Sequence, residues 1–194
     1  MQYEAVVIGV SAGGLKALSE ILDGLPANYP LPLIVIQHRS KDERTLLEEV
    51  LQAKCAISIK QADEKETIEG GTVYFAPPDY HLLVESDHTF SLTCDEPVNF
   101  SRPSIDLLFE SASEVYKDKL VGVILTGANR DGAEGIRAIQ QRGGLTIAQD
   151  PETSHFPDMP RAAIGTGSVQ HILSAPAIKY FLLDLAKNRS DHAE

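Results

Sequence analysis

A serine, a histidine and an aspartate each follow an apolar run in this 194-residue chain. Ser11 comes after "AVVIGV", His38 closes "PLIVIQ", and Asp131 follows "LVGVILTGANR". A serine hydroxyl is a poor nucleophile until a base takes its proton. A histidine, with an ordinary pKa near ~6.5, takes such a proton at neutral pH. A carboxylate on the other imidazole nitrogen fixes the tautomer and stabilises the imidazolium. The three types together suit acyl transfer. Their chain order, Ser, His, Asp, matches none of the orders found in the chymotrypsin, subtilisin and α/β-hydrolase folds.

The turn around Ser11, Gly9-Val10-Ser11-Ala12-Gly13-Gly14, is open to three readings. Gly9 suits a tight strand-to-helix turn, and Gly13 and Gly14 carry no Cβ, so a carbonyl can approach the backbone. Amides at the start of the helix that follows have no internal partners. They suit an oxyanion and equally a phosphate. A nucleophile turn, a phosphate loop and a plain structural turn therefore all fit. Two features weigh against nucleotide binding. The turn lacks both the full Gly-x-Gly-x-x-Gly pattern and the P-loop lysine with its Ser/Thr. The second apolar run ends in His38 where a ribose-binding site would have an acidic residue.

The elements that must position these residues alternate. "EAVVIG" (Glu4–Gly9) and "LPLIVIQH" (Leu31–His38) read as buried strands, and "LKALSEILDGL" and "ERTLLEEVLQA" (Glu43–Ala53) as helices. Near-continuous apolar strands with helical crossovers predict a parallel sheet covered on both faces. The middle, "GTVYFAPPDYHLLVESDHTFSLT", holds three short strand-like pieces and predicts a hairpin or small antiparallel edge. "SRPSIDLLFESASEVY" reads as a helix capped by Ser104 or begun by Pro103. "KLVGVILTG", "LTIAQD" and "SVQHIL" read as further strands, and "GAEGIRAIQQRGG", "DMPRAAIGTG" and "APAIKYFLLDLAKN" as helices. The expectation is an α/β fold: three layers, α/β/α, around a mostly parallel doubly wound sheet with a small antiparallel edge hairpin. One domain covers 1–188, with a short tail at 189–194. In such a sheet the strand ends of one sense share an edge, where ligands bind. Ser11, His38 and Asp131 are expected to meet there. The alternative for Asp131 is the N-cap of the helix after it.

Composition narrows the function. With 17 basic and 28 acidic residues the formal charge is −11. That argues against a nucleic-acid partner, which needs a basic face. Cys55 and Cys94 are too few for a disulfide framework and lack metal-ligand spacing. No apolar run approaches the ~20 residues that span a bilayer, so no direct membrane insertion is expected, and the reading is a cytoplasmic protein with reduced thiols. No histidine has metal-ligand spacing with another His, Asp or Glu, so neither metal nor cofactor is expected. His81 and His155 read as structural and solvent-exposed respectively, with a place at the site's edge as the alternative.

Several ordered motifs resemble the methylesterase domain of the CheB chemotaxis proteins, from about Tyr3 to Leu185. "IGVSAGG" is similar to the family's nucleophile turn, "VIQH" to its histidine strand and "LTGANRDGAEG" to its aspartate loop. "VYFAPPDYHLLV", "RPSIDLLFESAS" and "DMPRAAI" are similar to further characteristic segments. The resemblance implies Ser11 as nucleophile, His38 as base and Asp131 as its orienter. It places oxyanion amides near Ala12 and Ala128, beside Gly13 and Gly14, and makes Met159 and Arg161 candidates for the substrate groove, with a plain helix start as the alternative. It implies hydrolysis of glutamate γ-methyl esters to glutamate and methanol, with glutamine deamidation in some members. The implied partner is a methylated chemoreceptor or similar signalling protein, with a separate receiver-domain or methyltransferase protein as a further candidate. Two departures stand out. The receiver domain that usually precedes the esterase has no counterpart before residue 1, so control in cis is expected to be absent. The aspartate loop usually reads Gly-Met-Gly-x-Asp-Gly, and here it is Gly127-Ala128-Asn129-Arg130-Asp131-Gly132. Asn129 in place of glycine suits a position of positive φ. A binding protein that keeps the esterase fold is the runner-up reading.

Overall fold

A computed structural model describes residues 3–39 and 46–190 of the chain. Seven strands form one parallel sheet: β1 (Ala5–Val10), β2 (Leu33–Gln37), β3 (Ser58–Gln61), β4 (Thr72–Phe75), β7 (Leu120–Ile124), β8 (Leu145–Gln149) and β9 (His171–Leu173). Their spatial order is β3-β4-β2-β1-β7-β8-β9. The remaining two, β5 (His81–Val84) and β6 (Phe90–Thr93), pair antiparallel as a separate hairpin. Among the described residues the α-helices are α1 (Gly14–Leu22), α2 (Leu47–Gln52), α3 (Ile105–Tyr116), α4 (Ala133–Gln141), α5 (Asp158–Gly165) and α6 (Ala175–Ser190).

The central strands β1, β2 and β7 are buried on both faces, and their residues alternate between two cores. Val6, Ile8 and Val10 of β1 join Leu18, Ile21, Leu22, Ile178 and Leu182 on the face of α1 and α6. Ala5 and Val7 join Ile105, Leu108, Phe109, Ile136 and Ile139 on the face of α3 and α4. The expected doubly wound α/β architecture is present, and so is the hairpin. The middle segment divides, however: its first piece, β4, lies inside the parallel sheet between β2 and β3. The segment that forms β3 was not read as a strand at all. Its burial runs exposed, buried, partly buried, exposed, so only Ile59 is deeply placed and the apolar run is too short to announce itself.

Boundaries moved by a few residues. The expected helix over Glu43–Ala53 is seen as Leu47–Gln52, and its first residues lie outside those described. The closing helix runs to Ser190, past the expected start of the tail, and residues 191–194 are not described.

Strand order reverses at β1, with β2 on one side and β7 on the other. Ser11, His38 and the loop bearing Asp131 follow the carboxyl ends of these three neighbouring strands. That crevice is where an open α/β sheet places its ligand site.

Candidate active site

The Ser11 turn is tied to its neighbours by backbone and amide bonds. The Ser11 N–H donates to the Thr126 carbonyl (3.0 Å), and the His38 N–H donates to the Val10 carbonyl (3.1 Å). The Gln37 side-chain amide donates to the carbonyls of Ser11 and His38, each at 3.0 Å. The Thr126 hydroxyl donates to the Ala12 carbonyl (2.9 Å) and accepts the Phe156 N–H (2.8 Å). Thr126 thus joins the serine turn, the aspartate loop and the loop before α5. Sequence reading passed over both Thr126 and Gln37. Their signal, a polar residue at the very end of an apolar strand, was taken only for His38.

The glycines divide. Gly13 caps α1 at φ 77°, a conformation that favours glycine, and lines the cavity at Ser11. Gly9 does not make the turn. It lies within β1, and its missing Cβ leaves room for Ile105 of α3. Gly14 likewise makes room for the Gln37 side chain.

His38 and Asp131 are joined. His38 Nε2 lies 2.8 Å from Asp131 Oδ2, with the carboxylate fully buried and the imidazole 12% exposed. Asp131 Oδ2 also accepts the Ile105 N–H (2.8 Å), while Oδ1 accepts the Asp106 N–H and the Ser104 hydroxyl, both at 3.1 Å. Four donors from His38 and the start of α3 therefore saturate one carboxylate. Burial pushes its pKa up, but the His38 bond and the two amides outweigh this, and the net effect is a lowered pKa. Asp131 is not the cap of its own helix: Gly132, at φ 95°, holds that place. Its carboxylate serves the amino end of α3 instead, where the helix dipole favours negative charge. Ser104 caps α3 as expected, accepting from the Leu107 N–H.

An ionised carboxylate only accepts, so His38 carries its proton on Nε2 and presents a lone pair at Nδ1. This reverses the chymotrypsin-type arrangement, in which the aspartate takes Nδ1. Asn129 Nδ2 lies 3.3 Å from that Nδ1. Ser11 and His38 line the same two cavities. Among the described residues, the Ser11 hydroxyl and the amides of Ala12 and Ala128 have no hydrogen-bond partner. The Ala12 amide follows Ser11 directly and lines the same cavities, and a free amide so placed suits an oxyanion.

The remaining candidates are placed differently. Met159 is 1% exposed and fills the space under Gly127, so it supports the aspartate loop from within and does not line the groove. Arg161 is exposed, faces Glu152 at 3.7 Å and lines neither cavity at Ser11. His155 is exposed and does border the larger cavity. His81 is completely buried. Its Nδ1 accepts the Ser104 N–H (3.1 Å), and its Nε2 donates to the Glu96 carbonyl (3.2 Å). It therefore steadies the amino end of α3 alongside Asp131. Among the described residues no cluster of His, Cys, Asp and Glu is suited to a metal ion, and no helix is long and apolar enough to cross a membrane.

The mouth of the site is apolar. An open groove of about 880 Å³ runs from Ser11 along α1 and α2, walled by the exposed side chains of Leu15, Leu46 and Val50. A smaller cavity of about 430 Å³ on the other side ends at Phe100. Phe100 is fully exposed at the tip of a two-residue hairpin turn, with Asn99 at φ 51° and Phe100 at φ 61°. A phenylalanine at positive φ is uncommon. Sequence reading missed this tip, because "PVNFSRP" carries no glycine to announce a turn of that type.

Comparison with known proteins agrees with this geometry. The family model described as CheB methylesterase matches residues 6–182. The chain is 52% identical over 188 residues to a Leptospira interrogans (strain Fiocruz L1-130) protein, covering 97% of each. That protein's provisional name is protein-glutamate methylesterase/protein-glutamine glutaminase. The chain is 42% identical over 181 residues to protein-glutamate methylesterase/protein-glutamine glutaminase 1 of Carboxydothermus hydrogenoformans, spanning 90% of this chain and 53% of that one. The crystal structure of the Thermotoga maritima CheB methylesterase catalytic domain superposes with a TM-score of 0.91 at 34% identity. That match covers 95% of this chain and all of the other.

Proposed function

The chain belongs to the CheB methylesterase family, and we propose that it is a serine hydrolase that removes γ-methyl esters from glutamate side chains of a protein. The observation that carries this reading is the His38 imidazole, held by Asp131 at 2.8 Å and lining the same cavities as Ser11.

Ser11 Oγ attacks the ester carbonyl while its proton passes to His38 Nδ1. Asp131 keeps the Nε2 proton in place and offsets the charge of the imidazolium. The Ala12 and Ala128 amides receive the oxyanion. Collapse of the intermediate breaks the ester C–O bond, and His38 returns the proton to the leaving methoxide, which departs as methanol. Water, activated by the same nitrogen, then releases glutamate and restores Ser11. Attack on a glutamine side chain by the same route releases ammonia, in keeping with the second activity in the relatives' names.

The substrate is read as a methylated chemoreceptor or a similar signalling protein. The apolar mouth supports a macromolecule: exposed apolar side chains gathered at one place mark contact surfaces, and Leu15, Leu46, Val50 and Phe100 all stand around Ser11. The test is methanol release from a methylated receptor, together with labelling by a fluorophosphonate. Wild type is expected to be labelled at Ser11, and Ser11→Ala to lose both reactions while remaining folded. A folded wild type that is never labelled would assign the fold to binding instead.

A further inference from the structure

Asn129 stands where the resemblance led to an expectation of positive φ, yet Asn129 is not among the residues with positive φ. Its backbone therefore gives no reason for an asparagine. Its side chain does. Asn129 Oδ1 accepts the Asp131 N–H at 3.1 Å, which fixes which end of the amide points where. The NH₂ end is left facing His38 Nδ1 at 3.3 Å. With Nε2 protonated and bound to Asp131, Nδ1 has a single in-plane lone pair. That lone pair is the one the Ser11 proton must reach.

We infer that Asn129 is a positioning residue that holds the base idle: its amide occupies the His38 lone pair that Ser11 needs, and it must withdraw before the serine is activated. The inference rests on the reading of His38 as the base of Ser11. Two effects act in the same direction. The amide hydrogen bond stabilises the resting enzyme, because it satisfies Nδ1 before substrate arrives. Once Nδ1 has taken the serine proton, the N–H so formed points at another donor, and the Asn129 oxygen that could accept it is tied to Asp131. The protonated intermediate therefore loses a hydrogen bond unless the side chain swings away. Asn129 is only half-buried, so it has room to move. A substrate filling the cavity that Ser11 and His38 share with Phe100 is the natural trigger.

The experiment compares Asn129→Ser and Asn129→Gly with wild type. Serine keeps an oxygen able to accept the Asp131 N–H two residues on, but it is too short to reach His38. Glycine removes both contacts. The rate of Ser11 phosphonylation by a fluorophosphonate and kcat on a small methyl ester are measured, with melting temperature as a check on the loop. Asn129→Ser is expected to react roughly three- to tenfold faster than wild type, the worth of one neutral hydrogen bond. The gain should vanish when His38→Gln is added, since a brake on the base has nothing to act on without it. An unchanged or slower Asn129→Ser enzyme overturns the inference, and so does a gain that survives in the His38→Gln background. Failure of wild type to be labelled at all strikes the triad itself, so the two failures are distinguishable.

Discussion

The two sides of the catalytic edge are built in opposite ways. On the side of α3 and α4 the polar groups gathered around Asp131 are buried and matched. Asp131 accepts four bonds, His81 uses both nitrogens, and Asp106 accepts the Gly135 N–H and the Asn99 amide. On the side of α1 and α2 the Ser11 hydroxyl is without a partner among the described residues, and Leu15, Leu46 and Val50 are left exposed. One side stores order and the other offers access. A hydrolase of a protein side chain needs both: a base whose orientation is settled before substrate arrives, and a nucleophile that a large partner can approach.

The ordered side is the one a single change damages most. Asp131→Ala removes the orienter of His38 and strands three donors, the Ile105 and Asp106 amides and the Ser104 hydroxyl. Turnover is expected to fall by roughly 10³–10⁴-fold, as when a triad histidine loses its carboxylate. Stability should fall by about 3 kcal/mol or more, because each buried donor left unpaired costs about 1–3 kcal/mol. Methanol release and urea unfolding measure the two losses. If activity fell while stability held, the donors of α3 would be finding water, and the claimed rigidity of this side would be lost.

The open side predicts the reverse pattern. Phe100 touches solvent only, so Phe100→Ser should leave the melting temperature unchanged. The same change should lower kcat/KM on a methylated protein by about five- to tenfold, the contribution of one aromatic contact at an interface. A much smaller loss is expected on a small methyl ester that does not reach the hairpin tip. Equal losses on the two substrates would place Phe100 in support of the site and not at its mouth.

The same division governs what could be read from the sequence. Strands with continuous apolar runs were legible, and so was the placing of Ser11, His38 and the Asp131 loop at neighbouring strand ends, because a parallel sheet brings all its carboxyl ends to one edge. β3 was not, since only one of its four residues is deeply buried and periodicity had nothing to register. Met159 was legible as near the site but not as lying beneath it. Whether a residue faces the cavity or the core depends on where a helix is rotated, and the segment "DMPRAAI" alone does not say. The partners of Asp131 were hidden for a similar reason. The start of α3 is some 26 residues from it in the chain, and nothing local shows that its amides turn toward the carboxylate. Asn129 was read as a backbone device, whereas its side chain makes the contacts.

The smallest expected effect tests how tightly the ordered side is closed. Burial pushes the pKa of Asp106 up, the Gly135 amide opposes this, and the negative charge of Asp131 adds to the rise, leaving the carboxyl at about 6 against an ordinary 3.8. The folded protein therefore holds the Asp106 proton in a range where the unfolded chain has released it. Between pH 4 and 6 the folded state binds more protons, and stability must fall as pH rises through that window. Asp131 works in the opposite sense: its pKa is lowered on folding, so its contribution is intact above pH 4 and is lost only below that. The melting temperature is thus expected to climb by a few degrees from pH 7 to pH 5, then drop under more acidic conditions. Asp106→Asn cannot titrate. It shifts the whole curve by a constant, because its amide keeps one acceptor for Gly135 and loses the bond from Asn99, and it should flatten the climb. Glu110 on α3, whose carboxyl is also pushed up by burial, leaves a residual slope in the same direction. A climb of undiminished size in Asp106→Asn would mean that water reaches Asp106 and that the matched side of the edge is more open than its hydrogen bonds imply.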